Sequence, residues 1–143
     1  MKNFKFCYYA GMVLSLLVGL WHFFIPHLYG WYSYIPKEYQ VLSITIDYVN
    51  ICFSMFLFGL SALLIWWGKR IFEQNKEAIT LYVFMTFIWV ARTVIGIVKP
   101  IPDEANPWLS YGQLIGSIVI AVLLITPLVK LHIQNKKERV END

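Results

Sequence analysis

Four long apolar segments constrain the fold of this 143-residue chain more than any other feature. They cover roughly residues 6–24, 41–67, 78–98 and 108–129. A helix needs about 20 predominantly apolar residues to cross about 30 Å of hydrocarbon, and each segment comes close to that length or exceeds it. The sequence therefore predicts an all-α membrane protein, in which a bundle of four transmembrane helices forms a single domain, 1–143.

The composition agrees with a lipid environment. Hydrophobic residues make up 58% of the chain and charged residues 15%, which is too little polar surface to cover a water-soluble globule of this size. The formal net charge of +3 comes from Lys and Arg in the connections and tails, so we expect the bilayer as partner and no nucleic acid. Cys7 and Cys52 form no CxxC motif and predict no thiol-redox role.

The distribution of basic residues predicts the topology. Lys37 and Lys99 lie in connections on one side, and nine further Lys and Arg residues lie in the connections and tails on the other side. The positive-inside rule then places both termini in the cytoplasm, with a short cytoplasmic tail at 130–143 that we expect to be frayed from 134 onward. The first segment ends in aromatic residues without a small-residue cleavage site, so we expect it to stay as a helix.

Five polar side chains interrupt the apolar segments at a similar depth. At 1.5 Å of rise per residue, all of them fall in the outer half of the membrane. Polar and charged groups at that depth are costly unless they are paired or wetted, so we expect them to point inward together and to form a ligand-binding site. They are His22, Asp47, Asn50, Arg92 and Gln113.

Helical spacing supports this convergence. Small and polar residues recur every three, four or seven positions on three of the four segments, which suits inward-facing stripes and close helix packing. On the first segment these are Gly11, Ser15, Gly19 and His22; on the second, Ser43, Asp47, Asn50, Ser54 and Ser61; on the fourth, a GxxxG motif at Gly112 and Gly116 beside Gln113 and Ser117.

Asp47 and Arg92 allow three interpretations. They could form an ion pair that locks the second helix to the third. They could line an outward-facing pocket in which Arg92 binds a carboxylate, phosphate or carbonyl oxygen while Asp47 tunes it. In the third, Arg92 extends its long stem to the outer surface. The aromatic connection at 27–36 would be either an anchored loop or a lid over such a pocket.

Catalytic and metal-binding signals are weak. The chain has no Gly-x-Ser-x-Gly elbow and no pair of carboxylates within one span. His22 and His27 are five residues apart, which is not the spacing that places two imidazoles on one metal ion. We assign no catalytic residue and no metal site, and an enzymatic activity is less favoured than binding.

The run Gly19-Leu20-Trp21-His22-Phe23-Phe24-Ile25-Pro26, followed by Ile35-Pro36, resembles the DoxX-like superfamily of small bacterial four-helix membrane proteins. The resemblance covers about the first 60 residues and the four-span layout, and Gly19, His22, Pro26 and Pro36 carry it. It implies a four-helix bundle in the plasma membrane, with some relatives associated with quinol oxidation or redox complexes. Those relatives carry a glutamate nearer the middle of the second helix, whereas this chain has Asp47 and Asn50, and Arg92 is not part of their pattern.

These observations favour a small integral membrane binding or accessory protein. It would hold an amphipathic molecule, a quinone or a lipid, in an outward-facing polar pocket, with Trp21, Phe23, Trp89 and Tyr111 lining the apolar part. Three alternatives remain open: an oligomeric transporter or proton-coupled permease, a membrane enzyme with a His/Arg site, and a structural subunit of a homo-oligomer or larger membrane complex. The expected location is the inner membrane of a bacterium.

Overall fold

The computed structural model describes the backbone of residues 2–100 and 107–142, and the side chains of residues 4–100 and 111–135. Within these ranges the chain forms α-helices, two short 3₁₀ turns and connecting segments, and no strand. The helices are α1 (Lys2–His22), α2 (Ile25–Leu28), α3 (Gln40–Trp66), α4 (Gly68–Phe72), α5 (Lys76–Val98) and α6 (Pro107–Asn142).

Four of the described helices are long and apolar enough to cross a membrane, as expected for a multi-pass membrane protein. Their spans are Phe4–His22, Lys37–Trp66, Lys76–Val98 and Tyr111–Asn135. Large apolar side chains such as Leu17, Met55 and Phe87 lie exposed on the outer faces, where acyl chains would cover them. The predicted all-α class and the four-helix transmembrane bundle are confirmed.

The last helix continues further than the sequence predicted. Its backbone is helical through the predicted tail to Asn142, and the fraying expected for this tail stays a prediction. Residues 134–142 contain no Gly or Pro and are rich in Lys, Glu and Arg, which are good helix formers. Side chains beyond Asn135 lie outside the described residues.

Small residues on α1 allow close packing with two neighbours. α1 packs mainly against α3 and α6, and α5 packs against α6. A Cβ atom added at Gly19 would lie 2.7 Å from the backbone nitrogen of Phe58 on α3, so only glycine permits this approach. A Cβ at Gly11 would lie 2.7 Å from the side chain of Leu124 on α6. The predicted close packing along α1 is confirmed.

The glycines of α6 behave differently. A Cβ added at Gly112 or Gly116 would meet no atom of the described residues within 4 Å, so within the described part of the bundle the prediction of tight packing at this GxxxG motif is wrong. The GxxxG spacing correctly put both glycines on one face of α6. Because glycine has no side chain, however, this face leaves open space and makes no close helix contact there.

A buried polar network joins three helices below the level of His22. Trp89 on α5 donates from Nε1 to Ser15 Oγ at 2.9 Å, and Ser15 Oγ lies 2.9 Å from Ser61 Oγ on α3. Ser61 also donates to the carbonyl of Leu57 at 2.7 Å. Since all three side chains are buried, these bonds satisfy groups that water cannot reach and fix how α1, α3 and α5 face each other.

We call the end of the bundle where α1 and α5 finish and α3 and α6 begin the connector end. There the chain from 23 to 39 forms α2 and two 3₁₀ turns, Trp31–Tyr34 and Lys37–Tyr39. Gly30 has φ 57°, a left-handed conformation that costs glycine little, and it lets the chain turn between α2 and the first 3₁₀ turn. Ile25 and Pro26 are buried, so α2 is held against the bundle.

Candidate functional site

Arg92 is the centre of a polar cluster at the connector end. Its guanidinium is half-buried and donates from Nη1 to Nε2 of His22 at 3.1 Å, and from Nη2 to Oε1 of Gln113 at 3.4 Å. The guanidinium carbon also lies 5.5 Å from the ring centroid of Trp89, one turn earlier on α5. These contacts tie α5 to α1 and α6 through a single side chain.

The bond to Arg92 fixes the role of each ring nitrogen of His22. A guanidinium has only donors, so Nε2 of His22 must accept, and the ring proton of this tautomer is on Nδ1. The ring also meets Phe53 of α3 edge-on, with 5.2 Å between centroids. His22 is thus oriented by α3 and α5 together.

Asn50 reaches the same cluster through the backbone. Its Nδ2 donates at 2.9 Å to the carbonyl oxygen of His22, the last residue of α1. The final carbonyls of a helix lack partners within the helix, so the buried Asn50 amide supplies one. This bond gives Asn50 a structural use in joining α1 and α3, and its predicted part in ligand binding stays a prediction.

Asp47 has a different partner from the one that its charge suggested. Its carboxylate accepts a hydrogen bond from the hydroxyl of Tyr32, in the first 3₁₀ turn of the connection. The ion pair found among the described side chains is Lys69–Glu73, with N and O 3.7 Å apart, and an Asp47–Arg92 pair is absent there. The proposed lock between these two residues is therefore wrong: Arg92 reaches His22 and Gln113, while Asp47 reaches the connection.

The same bond affects Tyr32 itself. Because an ionised phenol would lose its hydrogen bond to Asp47 and would meet a like charge, the pKa of Tyr32 is raised to about 12. The hydroxyl therefore remains a donor at neutral pH and holds the connection to α3.

A cavity of about 250 Å³ lies beside Arg92, between α1, α5 and α6 and under α2. Most of its wall is apolar, and its main polar side chains are those of His22, Arg92, Gln113 and Ser117. The wall is formed by Val18, Trp21 and His22 of α1, Ile25 and Tyr29 at α2, Trp89 and Arg92 of α5, and Gly112, Gln113, Gly116 and Ser117 of α6.

A second cavity, of about 340 Å³, lies on the opposite side of His22, against α3. Asn50 and Thr45 are its polar residues besides His22, and Trp31 of the connection borders it. Its remaining wall is formed by Ile46, Val49 and Phe53. His22 borders both cavities, whereas Arg92 and Gln113 border only the first and Asn50 only the second.

The structure thus divides the five residues that the sequence predicted as one site. His22, Arg92 and Gln113 come together at the first cavity, Asn50 joins them through the His22 carbonyl, and Asp47 borders neither cavity. The depth estimate placed them at one level, but a shared level does not decide which neighbour each side chain meets.

The apolar wall was predicted in part. Trp21 and Trp89 line the first cavity, while Phe23 and Tyr111 do not. Tyr29 also lines the first cavity, and it belongs to the aromatic connection for which a lid was one of two interpretations. Neither Tyr29 nor Ser117 was predicted individually as a wall residue. Within the described residues no three His, Cys, Asp or Glu side chains gather as a metal site would require.

Comparison of the sequence with protein-family models and with curated proteins, and of the chain with solved structures, gave no match.

Proposed function

We propose that this protein is a small membrane binding or accessory protein that holds an amphipathic molecule, a quinone or a lipid, in the cavity beside Arg92. One observation carries the proposal: a guanidinium within a membrane-spanning helix borders an otherwise apolar cavity and is oriented by side chains from two other helices. Ligand sites commonly combine an apolar wall with a few placed polar groups in this way.

The chemistry of arginine supports this role. A guanidinium has five N–H donors, and the bonds to His22 and Gln113 engage one donor on each terminal nitrogen. Headgroup oxygens of a ligand can accept from the others. Within a membrane a charge of this kind is costly unless it is paired or hydrogen-bonded, so a bound oxygen would lower the free energy of the folded bundle.

The size of the cavity supports an amphiphile that is only partly enclosed. Sites that enclose a whole small molecule usually measure about 300–1,000 Å³. At about 250 Å³, this cavity would hold the polar end and the adjoining carbons, and the rest of the molecule would lie among acyl chains.

The proposal includes an orientation and a location. Nine Lys and Arg residues at one side against Lys37 and Lys99 at the other support an orientation with the termini in the cytoplasm and the cavity in the outer leaflet. The plasma membrane of a bacterium, and membership of the DoxX-like superfamily, belong to the same proposal. A cysteine at Ser33, in a protein without Cys7 and Cys52, should react with an impermeant maleimide added outside intact cells, whereas one at Glu73 should not; the reverse pattern would invert the orientation.

Replacing Arg92 by Gln tests the binding role. Native mass spectrometry of the wild-type protein in mild detergent should show a copurified amphiphile, and R92Q should lose it while keeping the same helix content. Arg70→Gln is the matched control, because Arg70 is exposed beyond the opposite end of α3. If R92Q retains the copurified molecule as well as wild type does, Arg92 is not its binding residue.

A second candidate function rests on the open face of α6. Gly112 and Gly116 meet no described neighbour, and such a face can accept a helix of a partner protein. The chain would then be a structural subunit. The same mass measurement separates the two functions, because a subunit should appear as an oligomer or heteromer and a binding protein as a monomer with a small added mass.

A further inference from the structure

We infer that the cavity beside Arg92 selects an anionic amphiphile, with a carboxylate or phosphate head on Arg92 and its apolar tail along the open face of Gly112 and Gly116. This inference rests on the proposed binding function and narrows it from amphiphiles in general to one charge class. It sets anionic lipids apart from neutral molecules such as quinones.

The electrostatics of the cluster favour an anion. Arg92 bonds to a ring nitrogen of His22 and to an amide oxygen of Gln113, and both are neutral acceptors. Asp47, which could have supplied the opposite charge, is bound to Tyr32 instead. A carboxylate or phosphate would bring Arg92 a negative charge that no described side chain provides, and it would accept two parallel N–H bonds, the geometry that a guanidinium favours. A neutral carbonyl oxygen would bring neither the negative charge nor the pair of acceptor oxygens.

The contacts of Gln113 and His22 add to the preference for an anionic headgroup. Nε2 of His22 has one lone pair, which accepts from Arg92, and Oε1 of Gln113 uses one of its two lone pairs in the same way. The groups around the guanidinium therefore present fewer acceptors to a ligand than donors. Headgroups rich in acceptors fit this point better than headgroups that must donate.

The two glycines on α6 leave space for the apolar tail of the ligand. Gly112 and Gly116 are one turn apart, both border the cavity, and an added Cβ at either would touch nothing within 4 Å. Gly112 is exposed, so the cavity continues toward the surface of the bundle. An acyl chain whose head is on Arg92 can lie across these two residues and leave the cavity into the bilayer.

The test compares three ligands that share one tail, and adds a neutral quinone. Full-length protein in phosphatidylcholine nanodiscs is mixed separately with oleate, oleyl phosphate, methyl oleate and decylubiquinone, and the bound fraction is read by native mass spectrometry. We expect oleate or oleyl phosphate to bind at least about tenfold more tightly than methyl oleate and decylubiquinone, a difference of about 1.4 kcal/mol. Comparing oleate with oleyl phosphate distinguishes a carboxylate from a phosphate head.

Two variants locate the binding. Arg92→Gln should remove the preference for the anionic probes, and Gly116→Leu should weaken binding of both anionic probes by filling the tail path. Gly59→Leu is the matched control, since Gly59 also has open space around it but is on α3 and borders neither cavity. It should bind as wild type does.

The outcomes separate this inference from the proposed function. If methyl oleate or decylubiquinone binds as tightly as oleate, the anionic selection is overturned and the amphiphile-binding function stands. If the preference for anions persists in R92Q, the selection does not come from this cavity and the inference is again overturned. If none of the four probes binds wild type, the proposed function fails and the inference fails with it.

Discussion

His22 contacts several parts of the connector end at once. Its ring accepts from Arg92, its carbonyl accepts from Asn50, and the residue borders both cavities. A lone histidine near a helix end would ordinarily be an interfacial group in contact with water. Here it orients the guanidinium, so in the proposed function His22 would act on the ligand through Arg92.

The Tyr32–Asp47 bond should be a separate structural contact that holds the connection to α3. Removing either partner, by Tyr32→Phe or Asp47→Ala, should lower the free energy of unfolding by about 1 kcal/mol, and the double variant should cost little more than either single one. Thermal unfolding of the four proteins in one detergent measures this cycle. If the double variant loses as much stability as the two single variants together, Tyr32 and Asp47 do not interact in this way.

The pH dependence of this contact has a definite sign. The folded-state pKa of Tyr32 is raised to about 12, so the contribution of the bond is complete below the ordinary phenol pKa and is lost as pH rises through the raised value. Asp47→Ala should remove that loss of folding stability at high pH.

Binding of the proposed amphiphile should be unchanged in Asp47→Ala, because Asp47 borders neither cavity.

At this scale the sequence predicted which polar side chains lie at one level, but only some of the contacts that they make. Rise per residue predicted that His22, Asn50, Arg92 and Gln113 share a level, and their contacts agree with that. Opposite charges suggested pairing Asp47 with Arg92, yet Tyr32 takes the carboxylate. The position of Tyr32 depends on the 3₁₀ turn after Gly30, and helical periodicity does not predict such a turn.

Among the helices, glycine has two opposite uses. Gly19 brings α1 against the backbone of α3, and Gly116 leaves a gap on α6. Both belong to small-residue patterns that look alike in the sequence, because spacing shows which face a glycine occupies and not whether a neighbour fills the space beside it. This is why the prediction succeeded for α1 and was wrong for α6.

The matched pair Gly19→Ala and Gly116→Ala tests this difference. At Gly19 the new Cβ would lie 2.7 Å from the Phe58 backbone nitrogen, so α1 and α3 must separate, at a cost of about 1–3 kcal/mol. At Gly116 nothing lies within 4 Å, and a helical Gly→Ala change should stabilise by about 0.5–1 kcal/mol. Midpoints of thermal unfolding should therefore shift in opposite directions; equal losses would mean that α6 packs as tightly as α1.

For the whole molecule, hydrophobic length determined the architecture. Four spans of sufficient length leave few ways to arrange the chain other than a helical bundle, and α1, α3, α5 and α6 form one. Segment ends were less accurate, because α1 stops at His22 while α6 continues to Asn142. The cavity itself was predictable only as a convergence of polar groups, since its shape depends on how α2 covers the ends of the long helices.

Site-directed photocrosslinking tests the central claim most directly, namely that the connector-end cavity holds an amphiphile against Arg92. A diazirine analogue of oleate, with the reactive group near the carboxylate, is irradiated with the full-length protein in nanodiscs, and the adducts are mapped by peptide sequencing. We expect adducts to concentrate on Trp21, Trp89 and the stretch from 112 to 117, to be displaced by excess oleate, and to disappear in R92Q. Adducts spread evenly over the exposed apolar faces, and equally abundant in R92Q, would contradict the claim.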